Sequence, residues 1–151
     1  MRFRRQLVGN SRLLVVLLIA IASSSCSISF GELQVAESGV TRFREYIGAG
    51  RIAEYYDDSP QLRDIVGKDK FVACTSLNVE KLGTLQEAVL AAWNVEAHSN
   101  GRIVSLVYHS SFQRGKGKEE FAFLVLNKEA SLVGYYLTSD SINSEETKKF
   151  C

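Results

Sequence analysis

The chain has 151 residues, about one domain's worth, with 46% hydrophobic and 23% charged side chains, which excludes a disordered or collagen-like polypeptide. Four arginines and no acid fall within residues 1–25, so the remainder carries 14 basic against 17 acidic side chains, and the net charge drops from +1 to −3. That balance argues against nucleic acid as a partner, and two histidines with three cysteines are too few for most metal sites built from His and Cys, so neither a metal nor a cofactor is expected.

Residues 1–25 read as a signal peptide. Arg2, Arg4, Arg5 and Arg12 precede an unbroken apolar run from Leu13 to Ala22, and Ser23, Ser24 and Ser25 follow. Ten apolar residues make a helix of roughly 15 Å, about half the ~30 Å hydrocarbon core, so a permanent membrane span is disfavoured. Arg4 and Arg5 also loosely resemble a twin-arginine export signal. Ser25 before Cys26 resembles the cleavage site of bacterial lipoproteins, whose new N-terminal cysteine carries acyl chains. That pattern usually has Leu three positions before the cysteine, where this chain has Ser23. Cys26 is thus the candidate lipid attachment, with simple release into the bacterial periplasm as the alternative. Several acyl chains would hold the domain on a bilayer, and no other membrane contact is expected. Once Cys26 is set aside, Cys74 and Cys151 remain, and an oxidising compartment permits a disulfide between them. The preferred reading is a structural Cys74 on the apolar side of a helix and a loose terminal thiol.

After a linker at 26–34, Ala36, Val40, Phe43 and Ile47 recur at helical spacing, and Gly48 or Gly50 can end that helix. A short helix carrying Ile52, Tyr55 and Tyr56 closes at Asp57 and Asp58. Ser59 then Pro60 reads as N-cap and first helical position, with Gly67 as the stop. Asp69 can cap a further helix through Phe71, Val72, Cys74, Val79 and Leu82, ending at Gly83. From Leu85 onward the residue types change to those of strands: Leu85 to Ala97, where the alanines leave helix as a competitor, then Arg102 to Gln113, Glu119 to Leu126, and Leu132 to Thr138. The turns between them fall at Ser99 to Gly101, Arg114 to Lys118 and Asn127 to Ala130. Helices followed by an antiparallel meander of about four strands is an α+β fold over residues 35–139. Residues 140–151 read as a disordered tail.

In that order the chain resembles the nuclear-transport-factor-like superfamily, the cone fold of ketosteroid isomerases and SnoaL-like cyclases, and more narrowly its small exported bacterial members of unknown function. The resemblance rests on Phe43 and Ile47, the step from Leu82 to Gly83, the strand holding Tyr108, Ser110 and Phe112, and the closing Leu132-Val133-Gly134-Tyr135. It implies helices on the concave face of a curved sheet, with a cone able to hold a small apolar ligand. Such scaffolds also serve enzymes and adaptors, and cone folds often dimerise through the sheet, so a homodimer or an envelope protein partner is a further expectation.

The candidate pocket residues are Trp93, Tyr108, Phe112, Phe123 and Tyr136, together with Phe121; the alternative for all of them is plain core. Ketosteroid isomerases work with an acidic base and hydroxyl or acid donors in an apolar site. Among strand acids only Glu87 and Glu96 stand out, so no catalytic residue is assigned. Strand alternation sets Tyr108 with Leu106 and Phe112 against His109 with Val107, and the bulkier Tyr108 set is expected inward. His98 sits beside a turn. No G-x-S-x-G elbow occurs, and Arg114, Lys116 and Lys118 lack phosphate-loop spacing. The leading expectation is a non-enzymatic exported domain that binds a small apolar ligand or a protein partner; an isomerase, cyclase or hydratase acting in the cone is the alternative.

Overall fold

The first helix, α1 (Ser24–Gly48), is longer than its apolar stripe implies. The stripe extends back from Ala36 to Leu33, which is buried, and the Glu32 carboxylate accepts a hydrogen bond at 2.6 Å from Arg102 on the sheet. Those two anchors hold the segment expected as a linker in helical form. The structure, a computed structural model, describes the backbone of residues 24–142 and the side chains from residue 30 on. The signal segment and the Cys26 side chain lie outside the described residues. The chain divides into two compact units, one ending at Gly31 and a second from Glu32 onward that holds the core and the sheet.

Three shorter helices follow: α2 (Ile52–Asp57), α3 (Pro60–Arg63) and α4 (Lys68–Leu82). Ser59 precedes Pro60 as expected, but its hydroxyl donates back to the Tyr55 carbonyl at 2.6 Å rather than capping α3. Gly67, not Asp69, is the N-cap of α4; Asp69 lies in the first turn, where its charge complements the helix dipole. Gly83 ends α4 at φ 75°, a conformation glycine adopts without steric cost.

The sheet is one antiparallel meander in the order β1 (Leu85–His98), β2 (Gly101–Phe112), β3 (Gly115–Leu126) and β4 (Glu129–Thr138). The alanine-bearing first segment is a strand. Each connection is a two-residue hairpin, Ser99-Asn100, Gln113-Arg114 and Asn127-Lys128, so the loop expected at Arg114 to Lys118 is mostly strand. Asn127 and Lys128 both have positive φ, 52° and 66°, the turn that matches strand twist. Register shifts at Leu85/Glu87, Leu90/Ala92 and Ala122/Phe123 bend the sheet, which is open and curved. Arg114 is occupied at the C-terminus of α4, where its guanidinium donates to the Lys81 and Glu80 carbonyls.

Phe43 of α1 sits at the centre of the core. Its ring meets Tyr55 edge-on at 5.1 Å, Phe121 edge-on at 5.6 Å and Tyr135 at 4.8 Å, tying α1 and α2 to two strands. Gly39 lets α1 approach the sheet, since a Cβ there would stand 2.7 Å from the Phe123 ring. Ile142 is buried with Leu82 and Leu137, so chain order continues past the Asp140 expected to open a loose tail.

Candidate ligand cavity

Strand alternation decides what faces the helices. On β2 the inward set is Val104, Leu106, Tyr108 and Ser110, all buried, while His109 is exposed on the other face. On β3 the inward set is Glu119, Phe121, Phe123 and Val125. Glu119 therefore shares a phase with two core phenylalanines and is 3% exposed. A buried carboxylate needs partners, and three side chains donate to it. Arg44 of α1, the residue after Phe43, donates to Oε2 at 2.7 Å. Ser110 donates to the same oxygen, and Tyr135 of β4 donates to Oε1 at 3.3 Å. The Arg44 guanidinium also lies over the Tyr108 ring at 4.6 Å. The Tyr135 hydroxyl is pushed well above its ordinary pKa, first by burial and then by the neighbouring Glu119 carboxylate. Tyr108 shifts the same way, again chiefly through burial.

This cluster borders a cavity of about 460 Å³ between α1, α4 and the sheet. Its apolar wall includes Ile47, Val79, Leu85, Phe112 and Leu137; its polar groups include Arg44, Asn78, Glu119 and Tyr135. A second cavity, about 210 Å³, lies under α4 beside Leu62, Val66 and Phe71, and shares Thr75, Asn78, Tyr135 and Leu137 with the first. Asn78 is 8% exposed, and its carboxamide oxygen has no hydrogen-bond partner among the described residues. A shallower groove of about 540 Å³ crosses the outer sheet face past His109, Lys116 and Lys118.

The aromatic residues singled out from sequence are dispersed by the fold. Phe112 lines the larger cavity and Tyr136 the smaller, although Tyr136 is 54% exposed. Tyr108, Phe121 and Phe123 are core, their rings packed on one another. Trp93 is 38% exposed on β1 and lines neither cavity. Glu87 and Glu96 are exposed. The residues that count, Arg44, Asn78, Glu119 and Tyr135, carry no motif. The available signal is the period-two phase of Glu119 with Phe121 and Phe123.

Cys74 is disulfide-bonded, which corrects the preference for a free structural thiol. It is only partly buried on α4 and so accessible to a partner, which lies outside the described side chains. Among the described residues, no group of three His, Cys, Asp or Glu could hold a metal, and no helix is long and apolar enough to cross a membrane. The chain matches no family model, no curated protein and no solved structure.

Proposed function

We propose that this is an exported domain, held by lipid at Cys26 or released, that binds a small apolar ligand in the cavity beneath α1 and α4 without reacting with it. The observation that carries this reading is the cavity itself. Its volume of about 460 Å³ falls within the roughly 300–1,000 Å³ of small-molecule sites, and its wall is apolar with a few convergent polar groups. The order of elements and the bent sheet support the cone-type reading of the fold. The basic opening followed by an apolar run supports export.

One observation favours an isomerase-type reading: Glu119 is a buried carboxylate flanked by two hydroxyls at an apolar cavity. Its oxygens, however, already accept from Arg44, Ser110 and Tyr135, so a substrate proton would have to displace one of these donors. That engagement supports binding over proton abstraction.

Native mass spectrometry of the protein purified from its own host tests the proposal. A stoichiometric small molecule on the wild type, lost in the cavity-filling Val79→Trp, is the expected result. A bare protein that also takes up no fluorescent apolar probe would contradict it. Metabolic fatty-acid labelling of wild type against Cys26→Ser tests the anchor.

A further inference from the structure

We infer that residues 143–151 close over the smaller cavity, with the Phe150 ring seated in it and a disulfide from Cys151 to Cys74 holding it there. Cys74 is disulfide-bonded and lines that cavity. Its partner is Cys26 or Cys151. The anchored form of the reading above commits the Cys26 sulfur to lipid, and the choice of Cys151 rests on that form. Reach agrees with it. Ile142 is buried against Leu82 and Leu137, and Leu137 lines the same cavity. Leu82 lies eight residues beyond Cys74 on α4, about 12 Å along the axis. The nine residues from Asn143 to Cys151 span up to ~30 Å when extended, so the chain reaches Cys74 with length to spare for crossing the opening.

Two observations identify the occupant. Ile65 and Tyr136 line the cavity yet are 57% and 54% exposed, an apolar rim that the described residues leave in water. Covering such a rim is favourable. Phe150 is the one large apolar side chain between Ile142 and Cys151. Bridged cysteines hold their Cα atoms about 4.4–6.8 Å apart and adjacent residues are ~3.8 Å apart, which puts the Phe150 Cα within roughly 11 Å of that of Cys74. The cavity has a volume of about 210 Å³ and is walled by Leu62, Val66 and Phe71, and roughly 150 Å³ of apolar space admits a benzene ring.

Methyl NMR on the full chain, with non-reducing peptide mapping beside it, tests this. In the wild type the Ile65 and Val66 methyls should show nuclear Overhauser contacts to the Phe150 ring. Phe150→Ala should lose those contacts, shift both methyls as the ring current disappears, and keep Cys74 joined to Cys151. Benzene should then perturb the Ile65 and Val66 methyls of the variant and leave those of the wild type unmoved. The Ile47 and Leu85 methyls at the larger cavity should be the same in both proteins, which shows that the variant is folded. With Cys74 joined to Cys151, identical Ile65 and Val66 methyls in wild type and variant would overturn the seating of the ring and leave the anchor and the larger cavity standing. Cys74 joined to Cys26 would overturn this inference and the anchored form together.

Discussion

Replacing Arg44 should damage the fold more than replacing Glu119, although the two side chains form one ion pair. At 2.7 Å their attraction amounts to about 6 kcal/mol at an effective dielectric of ~20, offset by a desolvation cost of several kcal/mol per ion. The pair as a whole therefore contributes little net stability. Its two halves are nonetheless unequal: Glu119 is 3% exposed, whereas Arg44 is 23% exposed and stacks on Tyr108. Arg44→Leu strands a buried carboxylate and should cost about 3–5 kcal/mol. Glu119→Leu leaves a guanidinium that reaches water and keeps an aromatic face, so about 1–3 kcal/mol is expected, mostly from the unpaired Ser110 and Tyr135 hydroxyls. The double variant should recover at least ~2 kcal/mol of the summed losses, roughly the coupling seen between contacting charges. Urea unfolding reads this directly, because about 4 kcal/mol moves the midpoint by roughly 2 M at a slope of ~2 kcal/mol/M. Equal single losses that simply add would refute this asymmetry.

Alkaline pH should unfold the protein in a defined window. Burial pushes Tyr55 up to about 12 and Tyr135 well above its ordinary value. Each is favoured protonated in the fold, so their stabilisation is intact below about pH 10 and declines as pH rises through the raised value; Tyr55→Phe should flatten that decline in pH-dependent urea melts. Gly39→Ala should destabilise by about 1–3 kcal/mol despite its better helix propensity, because the new methyl meets the Phe123 ring, and thermal melts will show it. Lys128→Gly should stabilise by about 0.5–1 kcal/mol in the same melts, since it relieves a lysine held at φ 66° in the β3–β4 turn. Non-reducing peptide mapping should join Cys74 to Cys151, the pairing that leaves Cys26 free for lipid; a bridge from Cys74 to Cys26 would contradict an anchor on the Cys26 sulfur.

The fold was largely legible because its determinants are local. Apolar spacing marks the helices, and the change to β-branched and aromatic residues at Leu85 marks the sheet. Turning Tyr108 inward and His109 outward needs only alternation along one strand. What escaped depends on distant partners. The helicity of residues 26–34 rests on Leu33 packing and on an Arg102 donor 70 residues away. Arg114 looks like a solvated loop cation until its distance from the end of α4 is known. Glu119 is hardest, because a glutamate beside Glu120 and Lys118 looks like a solvent face, and only the arrival of Arg44 from α1 makes its burial tolerable. The cavity escaped for the same reason. Its walls come from both long helices and from all four strands, whereas the aromatic residues that attract attention in the sequence mostly fill the core.

A side-chain methyl NMR titration with dodecanol tests the central claim most directly. Shifts that saturate at one equivalent and concentrate on Ile47, Val79, Leu85 and Leu137 are the predicted result. Shifts confined to Val89 and Val107 on the opposite sheet face, or no shifts at all, would contradict it.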